Sequence, residues 1–258
     1  MRALQIASSG MMAQDRRTEV IANNLANMNT TGFQRRRTEF NELIYKNMTR
    51  PGNASSRPGE AVPGGIYSGL GVQTGSVYRV TDQGNLKSTG NSLDLAIQGA
   101  GYFQIQLPNG ESAFTRNGTF QLSADGAIVT QDGFPVQPLT TVQSNASEIT
   151  VNSTGTVQVT LPGQQDPINV GSLQLVLFPN EGGLKAVGNN MYVPTEGSGG
   201  PVAVAAGEGG SGTILQGFVE ASNVNPIEEI TNLIRAQRAY DMNSKIIQTA
   251  DQMMAPSK

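Results

Sequence analysis

The chain has 258 residues, of which 37% are hydrophobic and 14% are charged, and its formal net charge is -3. The low charged fraction excludes a charge-driven disordered chain, and the acidic balance argues against general binding to nucleic acids. Cysteine, histidine and tryptophan are absent, so the chain can form neither a disulfide nor a zinc site made of Cys and His ligands.

The first predicted element is a long helix that covers Ala3–Met28. Its less polar positions recur at alternating steps of three and four, which is the spacing of a coiled-coil seam. These positions are Leu4, Ala7, Met11, Gln14, Thr18, Ile21, Leu25 and Met28. Such a weakly apolar helix is marginal alone, so we expect it to need a partner. Gly32 and Phe33 should end it, with Gly32 in the left-handed conformation.

The N-terminal sequence does not have the pattern of a cleavable signal peptide. Arg2 is followed by only a short, mildly apolar stretch, and then Asp15, Arg16 and Arg17 interrupt it. No run of about 18 apolar residues occurs along the chain, so we expect no membrane-spanning helix.

Residues 31–83 are predicted to form an extended arm or linker region. It contains the basic cluster Arg35–Arg37, for which solvated side chains or pairing with acids of a neighbour are favoured over phosphate binding. An insertion at 45–63 repeats Pro- and Gly-based turn chemistry and reads as a linker or an extended loop. Its distinctive residues, with the glycine that follows it, are Pro51, Gly52, Asn53, Pro58, Pro63 and Gly65. Residues 69–79 alternate weakly and predict a return strand.

Residues 84–222 are predicted to form an all-β antiparallel middle domain. Phe103, Ile105 and Leu107 alternate with glutamine, and the same period of two recurs at 157–161 and 173–177. Turn sequences separate these runs at 108–110, 117–118, 124–126 and 131–133. We read the strands from about 84 to 192 and expect a Gly-rich stretch, 197–212, to return the chain to a second helix.

The second helix has a clear start. Asn225 is a good cap, Pro226 suits the first helical position, and Glu228 follows three residues after the cap. Its predicted seam is Ile230, Leu233, Gln237, Tyr240, Ser244, Ile247, Asp251 and Met254. The predicted fold is therefore α+β, with residues 1–30 and 223–258 forming a terminal coiled-coil domain.

The seams do not determine which surface packs against each helix. They are compatible with bundling between chains, with a helical hairpin inside one chain, or with packing on the β domain. Polar seam residues such as Gln14, Thr18, Gln237 and Ser244 suit a contact between chains better than a dry core, so bundling between chains is the favoured hypothesis.

Motifs for catalysis are missing from the sequence. Residues 99–104 begin like a dinucleotide loop but lack the third glycine and the following helix. A catalytic serine or threonine would have to act without histidine. Asp94, Asp125 and Asp132 lie in or beside turns, where turn chemistry explains them. We therefore predict no catalytic residue, no cofactor site and no metal site.

Several motifs resemble those of one family. The N-terminal run Ile21-Ala22-Asn23-Asn24-Leu25-Ala26-Asn27 is followed by Thr30-Thr31-Gly32-Phe33. Near the other end are Glu220-Ala221-Ser222-Asn223-Val224-Asn225, Gln237-Arg238-Ala239-Tyr240 and Asn243-Ser244-Lys245. Between them are Asp94-Leu95-Ala96-Ile97-Gln98-Gly99 and Thr115-Arg116-Asn117-Gly118-Thr119-Phe120. Together, these motifs resemble the signatures of the bacterial flagellar rod and hook proteins, over nearly the whole chain.

The resemblance implies a structural role rather than an enzymatic one. Within the family, the chain length and the insertion at 45–63 look most like the subunits of the distal rod. Such a subunit is expected to leave the cell by type III export without cleavage and to polymerise helically into a hollow shaft that carries torque. Its terminal helices would line the inner tube, and its β domain would lie outside.

The resemblance and the seams also imply partners and contact residues. The expected partners are further copies of the chain, the proximal rod and hook proteins, the surrounding P- and L-ring proteins and the export apparatus, with no nucleic acid and no membrane insertion. The expected location is the basal body, from the periplasm towards the outer membrane. The expected subunit interface contains Leu4, Met11, Ile21, Asn23, Asn24, Leu25, Asn27, Leu233, Gln237, Arg238, Tyr240, Asn243 and Ile247.

Two alternatives remain at this point. A paralogous proximal rod subunit should lack the insertion at 45–63. A protein of a different class, an exported β-domain hydrolase with helical arms, would need an acid–base set that the sequence does not display.

Overall fold

The computed structural model describes residues 2–49, 66–142, 146–163 and 166–254. The chain divides into two compact units. Unit 1 contains Met1–Ala26, Arg36–Arg79 and Asn225–Lys258, and unit 2 contains Asn27–Arg35 and Val80–Val224. The predicted division at residues 30, 83 and 222 stays a prediction.

The described residues contain two long α-helices and many short strands. The helices are α1 (Arg2–Ala26), α2 (Pro226–Met254) and the short 3-10 helix η1 (Glu181–Gly183). The first ten strands are β1 (Arg36–Glu42), β2 (Lys46–Thr49), β3 (Ile66–Ser68), β4 (Val72–Arg79), β5 (Leu86–Ser88), β6 (Leu95–Gln98), β7 (Tyr102–Gln106), β8 (Ser112–Thr115), β9 (Phe120–Leu122) and β10 (Ile128–Thr130). The others are β11 (Val136–Gln137), β12 (Glu148–Val151), β13 (Thr156–Thr160), β14 (Ile168–Ser172), β15 (Gln174–Leu177), β16 (Lys185–Gly188), β17 (Met191–Val193), β18 (Val202–Ala205), β19 (Thr213–Gln216) and β20 (Phe218–Glu220).

Unit 1 is built on the pairing of α1 with α2. The helices run antiparallel, because Gly10 lies beside Asn243 while Asp15 and Thr18 lie beside Gln237 and Tyr240. The antiparallel ribbon of β1 and β4 packs on α1, and the Ser9 hydroxyl accepts a hydrogen bond from the Val72 N–H at 3.3 Å. The return strand that the sequence predicts at 69–79 is therefore confirmed as β4.

The first helix ends two residues earlier than its periodicity predicts, at Ala26 rather than Met28. In unit 2, the residues that follow form turns, in which the Thr30 hydroxyl donates to Asn27 Oδ1 at 3.2 Å. Asn and Thr are weak helix formers, so the run Asn27–Thr31 favours turns over further helix. Gly32 has the predicted left-handed conformation, with φ of 68°, and Phe33 is buried.

Unit 2 is an antiparallel β structure. Its largest sheet has the strand order β16-β17-β8-β7-β15-β18, with β11 also paired to β7. Strands β12, β13 and β14 form a second sheet, and the pairs β9–β10, β6–β19 and β5–β20 complete the unit. Every one of these pairs is antiparallel, so the predicted α+β class and antiparallel middle are confirmed.

The largest sheet of unit 2 is covered by apolar side chains on both faces. Phe103 and Ile105 on β7 are fully buried, as the alternating pattern predicts, and they pack with Phe120 and Leu175. The other face of the sheet carries a second cluster, which consists of Tyr102, Phe114, Val176, Phe178, Leu184 and Tyr192. The aromatic rings meet edge to face, with Phe103 and Phe120 centroids 5.1 Å apart, which is a favoured arrangement.

The strands of unit 2 continue beyond the predicted limit near residue 192. The Gly-rich stretch 197–212, expected as a plain return segment, contains β18, which pairs with β15 from Gln174↔Ala205 to Leu177↔Val202. The short run Val202–Ala205 is apolar throughout and too brief to show a period among its glycines, so tertiary pairing determines the strand.

Candidate assembly surfaces

The predicted seam of α1 lies on the side of the helix that packs within unit 1. Ala7 and Ile21 are 1% and 5% exposed. The half-buried seam residues of α1 are Leu4, Met11, Gln14, Thr18 and Leu25. The predicted seam of α1 therefore coincides with its packed face, and the expected role of Leu4, Met11, Ile21 and Leu25 between copies stays a prediction.

The packed face of α2 shares Leu233, Ser244 and Ile247 with the predicted seam, but its most buried residues lie one position earlier than the predicted ones. Glu229 and Ala236 are buried, where the sequence predicted Ile230 and Gln237. The half-buried residues of this face include Asn232, Leu233, Ala239, Asn243, Ser244, Ile247 and Ala250. The predicted seam residues that are exposed are Ile230, Gln237, Tyr240, Asp251 and Met254.

Close approach of the two helices explains this shift. A β-carbon built on Gly10 would lie 2.8 Å from Asn243 Nδ2, so small residues have to occupy this line of contact. Ala236 satisfies this condition, whereas Ile230 and Tyr240 are displaced to the flank. Hydrophobic spacing alone ranks the large side chains as the seam and cannot detect a contact that small residues make.

The flank of α2 and the adjacent flank of α1 border a groove. It contains a hollow of about 200 Å³ lined by Asp15, Thr18, Gln237, Tyr240 and Asp241. Gln237 and Tyr240 belong to the C-terminal signature, and Tyr240 is 44% exposed. Two residues of the predicted α2 seam, Gln237 and Tyr240, thus form part of one wall of a groove in unit 1.

Exposed apolar side chains surround much of the rest of α2. Ile227 is 78% exposed and Met242 is 60% exposed. The other exposed large apolar residues of this helix are Ile230, Ile234, Tyr240, Ile246, Met253 and Met254. A helix that is apolar on most of its sides is typical of one that is buried by several neighbours. Unit 1 therefore presents an apolar surface that α1 does not cover.

The asparagines of the N-terminal signature have different surroundings. Asn24 is 1% exposed; its Nδ2 donates to the Arg36 carbonyl and its Oδ1 accepts from the Arg36 N–H, both at 2.8 Å. Asn24 therefore fixes the start of β1 against α1 inside unit 1. Asn23 and Arg238 are exposed, and the structure brings neither into the packed face.

Asn223 acts inside unit 2, and the sequence-based list of site residues omits it. Its Oδ1 accepts from the Arg35 N–H at 2.7 Å, and its Nδ2 donates to the carbonyls of Val80 and Asp82 at 3.1 and 2.8 Å. The Asn223 side chain thus connects its own segment to Arg35 and to the segment that contains Val80 and Asp82. Its place in the motif Ala221-Ser222-Asn223 could have marked Asn223 as important, but the motif alone does not show which groups the side chain binds.

A buried ion pair also connects two of the recognised motifs in unit 2. Arg116 Nε donates to Glu220 Oε2 at 2.7 Å, and both side chains are 3% exposed. The other guanidinium nitrogens donate to the carbonyls of Gly99 and Gly101, both at 3.0 Å. The Gly84 N–H donates to Glu220 Oε1 at 3.0 Å. Because every charged group here has partners, the cluster can stabilise the unit.

This cluster gives the motif around Arg116 a structural explanation. Gly118 passes against the Leu95 backbone so closely that a side chain would collide with its carbonyl, and the Leu95 N–H donates to the Gly118 carbonyl at 2.9 Å. Arg116 is also the one charged residue between Glu111 and Asp125, and a lone charge in an otherwise uncharged strand–turn run was the signal for a buried pair.

Unit 2 also contains a polar hollow. It has a volume of about 350 Å³, and its lining residues are Asn27, Thr30, Ile105, Thr115, Asn117, Thr119, Thr130, Gln131, Asp132, Asn189, Asn190 and Met191. Its side chains bond to one another: Asn189 Nδ2 donates to Asp132 Oδ2 at 3.0 Å, and Gln131 Nε2 donates to Thr119 Oγ1 at 3.2 Å. With Asp132 as the single ionisable residue of the lining, no acid–base pair meets in this hollow.

The described residues also lack a cluster suited to a metal ion. Within residues 2–49, 66–142, 146–163 and 166–254, no three acidic, histidine or cysteine side chains lie close enough together to bind a metal ion.

In unit 1, the Tyr45 hydroxyl donates to the Glu42 carboxylate at 2.8 Å, and this bond together with the charge of Glu42 raises the pKa of Tyr45. Neither of the two long helices is apolar enough along its length to cross a membrane.

The predicted arm residues Pro51, Gly52, Asn53, Pro58, Pro63 and Gly65 lie outside the described residues. The strands on either side of them, β2 and β3, pair with each other in antiparallel register from Lys46↔Ser68 to Thr49↔Ile66.

Three family models match successive parts of the chain. Residues 4–34 match the model described as "Flagella basal body rod protein". Residues 96–159 match "Flagellar hook protein FlgE/F/G D1 domain", and residues 215–255 match "Flagellar basal body rod FlgEFG protein C-terminal".

Curated relatives extend this match to the whole chain. FlgG, a flagellar basal-body rod protein of Caulobacter vibrioides, is 54% identical, and the alignment covers 98% of this chain and 97% of the relative. The chain belongs to the flagellar basal-body rod protein family. FlgG of Bacillus subtilis is 35% identical over 98% of this chain and 97% of its own length. FlgF, also a basal-body rod protein of Caulobacter vibrioides, is 33% identical over 95% and 91%.

Family membership makes the chain a structural component of the flagellar basal-body rod. Apart from Asp94 and Leu95, the motifs that resembled rod and hook proteins fall inside the regions that the family models match, so the family expectation is confirmed. In the structure, these motifs build the start of β1, the Asn223 cluster, the ion pair and the groove between the helices.

Proposed function

We propose that this chain polymerises helically into the distal rod of the flagellum, the hollow shaft that transmits torque from the motor to the hook. The observation that carries the proposal is the exposure of large apolar side chains on α2 outside its contact with α1. Burying such side chains against further copies removes apolar area from water, which is the main source of free energy for association.

The comparison of two relatives from one organism supports the distal position. Caulobacter vibrioides FlgG is 54% identical to this chain, whereas its FlgF is 33% identical. A chain of the FlgF type would be expected to reverse this order. The proposal therefore prefers the distal rod to the paralogous proximal rod, and no contact or cluster described above favours the hydrolase alternative.

An open helical polymer follows from contacts between different faces of identical subunits. Long helices packed between copies would line the tube and give stiffness along its axis. The proposed partners are further copies, the proximal rod and hook proteins at the two ends, the P- and L-ring proteins around the shaft, and the export apparatus. The proposed location is the basal body between the periplasm and the outer membrane, reached by export without a cleaved signal.

Electron microscopy of the purified full-length chain, concentrated at low salt, tests the proposal. We expect straight tubes with a central channel, and expression in a strain that lacks its own distal rod subunit should restore rods and motility. Closed rings, or a chain that stays monomeric while restoring no rod, would overturn the proposed function.

The insertion at 45–63 is proposed to be an arm that stiffens the polymer. Proline lowers the entropy of a chain segment, and a rigid shaft needs extended contacts that stop subunits from sliding. Substitutions near Asn53 or Gly65 should then alter rod length or straightness while monomer folding stays intact.

Deletion of Gly52–Val62 tests the arm directly. We expect a more compliant, hook-like polymer, measured as a shorter persistence length in micrographs. The matched control replaces the same residues with a Gly/Ser segment of equal length, which keeps the reach but removes the prolines. Straight rods of ordinary stiffness from both variants would show that the helices alone provide the rigidity.

A further inference from the structure

The polar hollow of unit 2 is bordered by two tight turns. One is the two-residue turn Asn189–Asn190 between β16 and β17, in which both residues are left-handed, with φ of 49° and 55°. Asparagine tolerates this conformation, which a hairpin turn of this length favours. The other turn follows β10, and in it the Gly133 N–H donates to the Thr130 carbonyl at 2.9 Å. Hydrogen-bonded turns thus shape the hollow without any ligand.

Hydrogen bonds among the lining residues fix the orientation of their side-chain amides. Thr119 donates from its N–H and from its hydroxyl to Asn117 Oδ1, at 3.2 and 2.8 Å, so this atom must be the amide oxygen. Because the Thr119 hydroxyl proton is used in this bond, Thr119 Oγ1 accepts from Gln131 Nε2 at 3.2 Å. The partners therefore determine which oxygen of each amide is left over.

The two asparagines of the β16–β17 turn are oriented in the same way. Asn190 Nδ2 donates to the Thr31 carbonyl at 2.7 Å, and Asn189 Nδ2 donates to Asp132 Oδ2 at 3.0 Å. A carbonyl and a carboxylate only accept hydrogen bonds. The amide nitrogens must therefore face these partners, which leaves both amide oxygens free for another donor.

The lining is left with an excess of unbonded side-chain oxygens. Among the residues that the structure describes, four such atoms have no hydrogen bond: Gln131 Oε1, Asp132 Oδ1, Asn189 Oδ1 and Asn190 Oδ1. The amide nitrogens of the same residues each have one. Of the four oriented amides, only Asn117 has an unbonded nitrogen. Unbonded acceptors favour a ligand that brings donors.

The charge of the hollow is negative. Asp132 is the single ionisable residue of the lining. Arg116 follows the lining residue Thr115, but its side chain is 3% exposed and pairs with Glu220 at 2.7 Å, so its charge is already neutralised. The hollow therefore disfavours an anion such as phosphate and attracts a cation.

We propose that the polar hollow is a binding site for a primary ammonium group. An ammonium brings three donors, no acceptor and one positive charge, which matches the unbonded oxygens and the Asp132 carboxylate. The volume of about 350 Å³ has room for an organic amine as well as its charged group. Ile105 and Met191 also line the hollow and offer apolar contact to the methylene groups of such an amine.

Titration of the dilute full-length chain with four probes tests the site. Diaminobutane carries both charge and donors, butanediol has the same length without charge, and tetramethylammonium has charge without a donor. Calcium chloride supplies a metal ion that prefers oxygen ligands. The readout is the chemical shift of the backbone amides. We expect saturable changes at residues 131–132 and 189–190 with diaminobutane alone, with a Kd of about 1 mM.

The other probes define the results that would overturn the proposal. Butanediol binding as tightly as diaminobutane would show that the hollow recognises hydroxyl groups rather than a cation. Tetramethylammonium binding equally well would show attraction of charge without hydrogen bonds. Calcium binding in place of diaminobutane would make the hollow a metal site. Absence of saturable changes with diaminobutane would show that the hollow binds no amine.

Asp132→Asn is the matched variant, because it removes the charge and keeps the shape of the side chain. It should weaken the binding of diaminobutane by about tenfold. Asp125→Asn makes the same change at an exposed acid in another turn of unit 2 and should bind diaminobutane like the wild-type chain. The near-ultraviolet spectrum should show unit 2 folded in both variants. Equal affinity of all three chains would overturn the proposal.

A lysine derivative identifies the source of the ammonium. N-α-acetyl-lysine methylamide carries one ammonium on the stem of a lysine side chain. If it binds as tightly as diaminobutane, a lysine of a partner protein is sufficient as the ligand. If it fails while diaminobutane binds, the site takes a free diamine. Both results support an ammonium site, and because the titrations use the dilute chain, they do not depend on whether the chain polymerises.

Discussion

The two units of the chain bury their apolar side chains to very different degrees. In unit 2, Tyr102, Phe103, Ile105 and Leu175 are completely buried, and an ion pair inside the unit has all its partners. In unit 1, Ile227 and Met253 are 78% and 76% exposed, and one face of each helix carries most of the packing. Unit 2 has a complete core, whereas the helices of unit 1 carry large apolar side chains that no neighbour within the unit covers.

This difference explains how one chain can fold as a stable subunit and also assemble with other copies into a polymer. A closed β unit folds without help, because its alternating side chains meet across its own sheets. Long helices with exposed apolar sides gain most of their stability from packing against others. We therefore expect the two units to respond differently to mutation, dilution and protease.

The largest expected effect comes from the buried ion pair of unit 2. Arg116→Met leaves the Glu220 carboxylate buried without its cation, which costs about 3–5 kcal/mol. The carbonyls of Gly99 and Gly101 also lose their donors. We expect a large drop in the free energy of unfolding, measured by urea denaturation with a probe of β structure.

A double variant sharpens this prediction. Arg116→Met with Glu220→Gln removes both charges and should recover part of the lost stability, because no unpaired charge then remains buried. Glu148→Gln, an exposed acid of the same unit, is the control and should change stability by less than about 0.5 kcal/mol. A wild-type unfolding curve for Arg116→Met would show that the pair is not needed to complete unit 2.

Charged substitutions on the helices should act on assembly rather than on unit 2. Leu25 and Ile247 are half-buried in unit 1, so Leu25→Asp or Ile247→Asp costs about 2–3 kcal/mol there. Polymerisation should be lost while the near-ultraviolet signal of the aromatic core of unit 2 is retained. Leu25→Met and Ile247→Val serve as matched controls. Normal rods from either aspartate variant would show that the seam assignment is wrong.

The sequence predicted unit 2 more completely than unit 1. Alternation identified Phe103 and Ile105 as core residues, and turn residues located the loops, because in a closed antiparallel structure local pattern and burial agree. The strand at Val202–Ala205 was missed because its flanking glycines resemble a linker and only its pairing with β15 makes it a strand.

Periodicity found both helices, but it matched the contact face of α1 more closely than that of α2. On α1 the seam and the packed face coincide at Ala7 and Ile21, since packing there buries the apolar residues. On α2 the contact runs over Ala236, and a β-carbon on Gly10 would crowd Asn243. Small residues carry no hydrophobic signal, so the pattern pointed to Gln237 and Tyr240, which border the groove. The partner of Arg116 was equally hidden, because Glu220 lies 104 residues away.

Limited proteolysis of dilute protein compares the two units directly. We expect the protease to remove roughly the first 30 and the last 35 residues and to leave a resistant fragment that contains residues 80–224. Cleavage within the helices should be about tenfold faster than within unit 2, because local opening of marginal helices requires less free energy. Polymerised protein is the control, and in it both ends of the chain should be protected from the protease. A dilute monomer protected to both ends would mean that pairing of α1 with α2 is sufficient.

The smallest effect is expected at the start of α2. Asn225 Oδ1 accepts from the Ile227 N–H at 3.1 Å and from the Glu228 N–H at 3.5 Å, which confirms the predicted cap. Asn225→Ala should reduce the stability of α2 by about 1 kcal/mol, seen as faster amide hydrogen exchange in the first turn, while exchange in β7 and β15 is unchanged. Asn225→Ser retains an acceptor and should restore the protection. Because unit 1 depends on contacts with other copies, the same substitution should have less effect on exchange in the polymer than in the monomer. An equal effect in both states would indicate that α2 gains no stability from assembly, and the contrast between the two units would then reflect surface composition alone.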